Sequence, residues 1–299
     1  MKLSTILSRV LDKANFQDLN SYILFCSDYL SYISDNLQAT IISQNENHYC
    51  FYQYDQSGGF QITRPVNSNI MLEAKAFNYV SKEYLKILQN IQSIDKRNES
   101  IRTILNNTTY TLQQSIGTAL DGLAVGQSNK ARKLNGDLFE NLIRLIIKEI
   151  GLNCTSGVAK IPVLMDNKPL FNMNYQHDLI IKKEDKIQLI GSVKTSSKDR
   201  IDKIFIDKFL YNKLTNTNIP HIAIFLNDVQ RKNTKKEGKY GISSTFLPGH
   251  FKGYAIKLNP LDGVYYCDIR PNMMTEEILK DHIKTFDNLL IEDIWHLLG

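Results

Sequence analysis

The chain has 299 residues, 42% of them hydrophobic, with 36 Lys+Arg against 31 Asp+Glu and a net charge of +5. That is ample for a packed core in one large domain or two modest ones, and seven Pro and fifteen Gly argue against a disordered or fibrous chain. No run of eighteen apolar residues is present to span a membrane, no signal peptide is expected from Met1-Lys2-Leu3-Ser4, and Cys26, Cys50, Cys154 and Cys267 form no CxxC pair, which excludes a zinc ribbon and fits buried, reduced thiols.

Leu3, Ile6, Leu7, Val10 and Leu11 recur at helical spacing, and Tyr22, Leu24, Tyr29, Leu30 and Ile33 extend the stripe, so residues 3–45 read as helices. Next, the aromatic run Tyr49 to Tyr54, the turn signal Ser57-Gly58-Gly59 and the alternating Phe60-Gln61-Ile62-Thr63 predict a β-hairpin over 48–64, its rings serving as core. Helices follow over about 70–94 and 98–118. Gly117, Gly122 and Gly126 mark a boundary. The expected organisation is a mostly helical N-terminal domain over 1–120, for recognition or dimerisation, and a second domain over 121–299.

From residue 130 the pattern is mixed α/β. Asn135-Gly136-Asp137 is expected to open a helix bearing Leu138, Phe139, Leu142, Ile143, Ile146, Ile147 and Ile150, stopped at Gly151. Strands at 177–181 and 187–194 form a hairpin around Lys183-Glu184-Asp185-Lys186. A helix covers about 201–214, and Pro220 precedes a buried strand at 221–226. Short strands are expected at 252–257 and 264–268, and a last helix from Thr275-Glu276-Glu277 carries Ile278, Leu279, Ile283, Phe286, Leu289 and Leu290.

The positive charge is local. Residues 191–240 hold eleven basic and five acidic side chains, a surplus of +6, so the rest of the chain sums to −1. A basic zone on a nearly neutral body is the footprint of a phosphate binder, although part of it, Arg231 to Lys239, also reads as a solvated loop.

The same region carries the candidate chemistry. Strand alternation puts Ser192 and Lys194 on one face and Val193 on the other, and Asp178 lies on the neighbouring strand. A carboxylate and an ammonium meeting at a sheet end suit phosphodiester hydrolysis. Asp178, with the backbone carbonyl of Val193, would hold a hard cation such as Mg²⁺, which neutralises phosphate charge and lowers the pKa of a bound water. Lys194 would orient that water and neutralise the phosphate. His177 and His221 read as packing or hydrogen-bonding residues rather than ligands.

Asp178-X15-Ser192-Val193-Lys194 resembles the signature of the PD-(D/E)XK nucleases, with His177 in place of the proline and Ser192 in place of the second acid. The run Val193-Lys194-Thr195-Ser196-Ser197-Lys198-Asp199-Arg200 is similar to the CCGG-type type II restriction endonucleases, in particular their BsaWI-like subgroup. That group has Ser-X-Lys, an acid relocated to the following helix, and a basic-Asp-Arg block after the lysine. The resemblance covers roughly residues 130–260 and leaves the first 120 unmatched. It implies an α/β (α+β) fold, a mixed sheet flanked by helices, and Mg²⁺, with Mn²⁺ substituting, as cofactor. It implies that Asp207, thirteen residues after Lys194, is the relocated acid, with Asp202 as the alternative. It implies that Glu140, in Asn135-Gly136-Asp137-Leu138-Phe139-Glu140, points into the metal site. Lys198, Asp199 and Arg200, with Lys203 beyond them, would contact DNA, since basic side chains donate to guanine and Asp accepts from cytosine. Lys198 stands where the relatives have arginine and lacks the planar fork.

The function expected is site-specific, Mg²⁺-dependent cleavage of double-stranded DNA by a homodimer or dimer of dimers in a prokaryotic cytoplasm, with a methyltransferase gene as neighbour. Two alternatives stay open: a structure-directed repair or junction nuclease on the same fold, and a non-catalytic DNA-binding subunit.

Overall fold

The structure, a computed structural model, describes residues 1–56, 59–124, 126–198, 200–234 and 238–299. Helix α1 (Leu3–Leu11) and helix α2 (Leu19–Asn36) account for the first stripe. Asp18 starts α2 with a reciprocal cap: its carboxylate accepts the Ser21 amide at 2.8 Å, and the Asp18 amide donates to Ser21 Oγ at 3.2 Å. The helical reading ends at Asn36, because residues 39–42 form strand β1 (Ala39–Ile42), antiparallel to β2 (Tyr49–Gln56). Strand β2 also pairs with β3 (Gly59–Ile62) and β4 (Val66–Asn67), which is the expected hairpin enlarged to four strands. The predicted turn residues Ser57 and Gly58 lie outside the described residues. Tyr49, Phe51 and Tyr54 are fully buried, as the core reading required. Helices α3 (Ala74–Gln89) and α4 (Glu99–Leu120) complete this half.

Helix α5 (Ser128–Glu149) starts seven residues before the expected Asn135. Ala131 and Leu134 continue the buried stripe back from Leu138, and the Gln113 side chain donates to both the carbonyl and the Oδ1 of Asn135, holding it inside the helix rather than at a cap. Glu140 therefore sits in the middle of α5, remote from any helix N-terminus.

A six-stranded mixed sheet follows, in the order β12-β11-β8-β7-β6-β5. Strand β5 (Cys154–Met165) and strand β6 (Lys168–Lys183) form a long antiparallel hairpin that periodicity did not announce before residue 177. Strand β7 (Lys186–Ser196) is antiparallel to β6 and parallel to β8 (His221–Asn227). Helix α6 (Ile201–Thr215) makes the crossover. The basic loop folds back as an antiparallel pair, β9 (Val229–Asn233) and β10 (Tyr240–Ser244), packed on β2 through Tyr49, Phe51, Val229 and Ile242. Residues 252–257 are not a strand: they belong to helix α7 (Pro248–Lys257), which opens on a proline and buries Phe251 and Ala255, four apart, against Phe205 of α6. Strand β11 (Gly263–Tyr266) runs parallel to β8, and β12 (Ile283–Thr285) parallel to β11. Ile283 thus leaves the expected last helix, whose remainder is short helical segments at Pro271–Thr275 and Glu277–Lys280 and a helical run over Phe286–Leu298.

Helices cover both sheet faces. One cluster joins Ile6, Phe25 and Leu112 of the N-terminal helices to Phe139 and Ile146 of α5, Leu179, Val193 and Ile224 of the sheet, and Ile294 at the C-terminal end. On the other face, Phe205 of α6 and Phe251 pack against Ala223 and Phe225 of β8. Fully burying each such side chain contributes about 1.5–3 kcal/mol, so α5 is clamped between the N-terminal helices and the sheet along its whole apolar stripe. Glu140 of α5 reaches the ends of β6 and β7 through Lys194.

Candidate active site

Strands β6 and β7 are paired up to Leu179↔Gly191. Gly191 allows this closure: a Cβ there would lie 2.7 Å from Leu179 Cδ2. Against β5 the register jumps from Thr155↔Ile180 to Gly157↔His177, so β6 carries one extra residue around Asp178. A bulge of this kind re-aims a side chain and ends the ladder. In place of a ladder bond, Asp178 Oδ2 accepts the Val193 amide at 2.9 Å. The same oxygen accepts from Lys194 Nζ at 2.5 Å, and Lys194 Nζ also donates to Glu140 Oε1 at 2.9 Å. The Asp178 side chain is 10% exposed, Glu140 23% and Lys194 29%, so the ammonium joins two carboxylates at the edge of solvent.

Burial raises the Glu140 carboxyl above the ordinary range, the charge of Asp178 raises it further, and Lys194 only partly offsets both. Burial alone would lower the Lys194 ammonium, but the charges and hydrogen bonds of Asp178 and Glu140 prevail and hold it above an ordinary lysine. The site therefore pairs a carboxyl that takes up a proton more readily than an ordinary glutamate with an ammonium that holds its own more firmly than an ordinary lysine.

Asp178, Lys194 and Glu140 are brought together. Val193 contributes its amide to Asp178 and its side chain to the core. Ser192 is half-buried on β7 opposite Ala223. Asp207 is not brought into contact with them: it pairs with Lys203 at 2.6 Å one turn away on α6, and its charge is felt by His177, the neighbour of Asp178. The alternative acid, Asp202, faces His250 Nδ1 at 3.8 Å. Among the described residues, no group of three His, Cys, Asp or Glu side chains is placed to hold a metal ion. Lys198 is exposed and donates to Gln230 of β9 at 3.2 Å, while Arg200 is exposed at the start of α6. Asp199 lies outside the described residues. Lys203 is exposed but committed to Asp207. One member of the basic stretch is structural: Lys208 is buried and donates to Asp262 at 2.7 Å and to the Pro260 carbonyl at 2.5 Å.

His177 is buried, stacked on Tyr175 and edge-on to Tyr211, and burial lowers its pKa; His221 beside it is pushed down to about 4. Both are neutral packing residues. The four cysteines are buried and free, and burial raises their thiols. Sequence reasoning missed Arg144, one turn beyond Glu140, whose guanidinium lies 3.4 Å from the Asp178 carbonyl and 3.3 Å from Asn141 Oδ1. The i, i+4 spacing from Glu140 was its only signal.

No protein-family model and no curated protein matches the chain. Among solved structures, the type IIP restriction endonuclease Kpn2I superposes with a TM-score of 0.72 at 15% identity, covering 99% of this chain and 97% of Kpn2I. The chain shares its fold with a restriction endonuclease. The match includes the first 120 residues, which the sequence motifs left unassigned. PspGI, solved with substrate DNA, gives a TM-score of 0.47 at 13% identity over 74% of this chain and 90% of its own. Among the described residues, no helix is long and apolar enough to cross a membrane.

Proposed function

We propose that the chain is a type II restriction endonuclease, hydrolysing phosphodiester bonds of double-stranded DNA at specific sites with Mg²⁺ or Mn²⁺. The observation that carries this reading is the meeting of Asp178, Glu140 and Lys194 at the fork between β6 and β7, on a fold shared with Kpn2I. Two converging carboxylates, one of them raised by burial and then by the other's charge, are a donor set that fits a hard divalent cation, which typically takes one or two carboxylates and keeps several waters. Asp178 and Glu140 would hold it, with the Val193 carbonyl beside them; Asp207 stands apart on α6, paired with Lys203. When bound, the cation supplies charge neutralisation and a more acidic water. Asp178 anchors Lys194, and Lys194, released from part of its carboxylate pairing, donates to the scissile phosphate and orients the attacking water. Lys198, Asp199 and Arg200 follow β7 directly and would reach DNA, Lys198 being braced on β9.

The finer reading is a member of the CCGG-type, BsaWI-like subgroup acting as a homodimer or dimer of dimers, since cutting both strands of a palindrome takes two such sites. A cognate DNA methyltransferase gene is expected nearby, and the setting is a prokaryotic cytoplasm. The deciding assay incubates the protein with unmethylated phage DNA in Mg²⁺, beside EDTA and a Lys194→Ala variant. Discrete fragments that vanish in both controls support the reading. A smear favours a structure-directed or nonspecific nuclease. Intact DNA in every lane favours a non-catalytic DNA-binding subunit, a reading that the separation of Asp207 from Asp178 also supports.

A further inference from the structure

The β5–β6 hairpin continues past the sheet as a two-stranded ribbon that turns at Asp166 and Asn167, both at positive φ. Its two faces differ. Cross-strand pairs Ala159↔Tyr175, Ile161↔Met173 and Val163↔Phe171 form an apolar ladder, and its base packs on Tyr211, Leu210 and Leu214 of α6. The opposite face carries Asn172, Asn174 and Gln176, all exposed, with Lys160 opposite Asn174 and Val158 opposite Gln176. The row leads to Asp178, which with Leu179 forms the bulge at the ribbon's base. Asp178 makes its contacts on the α5 side while Tyr175 and His177 pack toward Tyr211 of α6.

This face needs a reason. Asparagine is depleted in strands, and an exposed ribbon gains nothing from three consecutive amides on one side. None of the three side chains hydrogen bonds to another described residue, so their donors and acceptors face solvent. Asn and Gln are the side chains that pair bidentately with adenine N6 and N7, and a two-stranded ribbon fits the major groove. The packing on α6 fixes which face is presented. At about 3.3 Å per residue, Gln176 to Asn172 lies within roughly 20 Å of Asp178, on the order of six base-pair steps.

We infer that the Asn172–Asn174–Gln176 face of this ribbon reads base edges of duplex DNA flanking the scissile phosphate, adding specificity that the Lys198–Arg200 segment does not supply. The inference rests on the nuclease reading above, and its test separates the two. Wild-type protein and an Asn172→Ala/Asn174→Ala/Gln176→Ala variant are each equilibrated in Ca²⁺ with a duplex library randomised over twenty base pairs, and bound DNA is sequenced. Cleavage in Mg²⁺ is measured separately. The expected result is a wild-type motif with one or more A·T positions whose preference falls at least tenfold in the variant, while the remaining positions and the melting temperature hold. Asn174→Gln, which keeps an amide, retains part of that preference. An unchanged motif in the variant overturns the inference, as does weaker binding spread evenly over all sequences, or a wild-type protein that binds duplex without any motif. A motif that responds to the variant in a protein that never cleaves would sustain the inference and sink the nuclease reading instead.

Discussion

Replacing Asp178 by Asn separates a catalytic carboxylate from a structural one. Asn keeps an oxygen that can accept the Val193 amide, now at 2.9 Å, so the fork between β6 and β7 remains closed. The salt bridge from Lys194, now at 2.5 Å, becomes a hydrogen bond from the ammonium to an uncharged amide oxygen, a loss of about 1–1.5 kcal/mol. Against this, Glu140 no longer faces a like charge, and it remains as a partner for the ammonium, so no cation is left bare. The two changes nearly cancel: stability should move by less than about 1 kcal/mol, which is a few degrees in melting temperature for a chain of this size. Activity should behave differently. Removing one charged group that acts on the transition state costs about 10²–10³-fold, and here the substitution removes a cation ligand and the anchor of Lys194 together, so a fall of at least about 10³ is expected. The assays are single-turnover cleavage of supercoiled DNA in Mg²⁺ and thermal unfolding of the same preparations. Cleavage within threefold of wild type, or a melting temperature lowered by more than about 10 °C, would refute the reasoning.

Four further outcomes follow from the same structure. Glu140 is raised by burial and by Asp178, so cleavage should climb from mildly acidic pH toward neutral as it ionises, and Glu140→Gln should flatten that limb; a profile unchanged in the variant would assign the limb elsewhere. Asp268, buried and bonded to Tyr49 and Asn67, has its carboxyl pushed from the ordinary 3.8 up to about 7. The folded state holds that proton longer than the unfolded one, so this contribution is full below about pH 4 and is lost as pH rises through 7, by at most about 4 kcal/mol. Asp268→Asn should raise stability at pH 8 relative to pH 5, as read by urea unfolding. Lys208→Met breaks a pair in which Asp262 is about a third exposed, so a loss of about 1–3 kcal/mol is expected with no change in the salt dependence of DNA binding; a changed slope would place Lys208 at the DNA after all. Lys198→Ala with Arg200→Ala, by contrast, should lower that slope by about 1–2, and an unchanged slope would remove both from the phosphate contacts.

Much of the site was legible because its chemistry is local. Asp178, Val193 and Lys194 lie on two strands joined by a short turn, so alternation alone put a carboxylate beside an ammonium. Glu140 was legible only through a motif, and the helix start expected at that motif lies seven residues upstream. Asn135-Gly136-Asp137 has the composition of a helix start, yet α5 runs through it because Gln113 of α4 satisfies Asn135 and Leu134 is buried beneath. The ribbon before Asp178 escaped because Pro162 and Pro169 break a strand pattern, although a proline is tolerated in β5, the sheet's edge strand, whose outward positions need no partner. Residues 252–257 were expected as a strand; Phe251 and Ala255, one turn apart on α7 and packed with Phe205 of α6, made them a helix.

By itself, then, the chain's order of residues determined the alternation that pairs Asp178 with Lys194, the amphipathic stripe of α5, and the basic segment that follows β7. These depend on neighbours a few residues away, where backbone geometry leaves little choice. The tertiary structure alone decided that Glu140 meets them, that Asp207 does not, and that Lys208 serves the core. Each of those depends on where one element's face lands on another, and that is set by burying apolar stripes from distant parts of the chain against a common sheet.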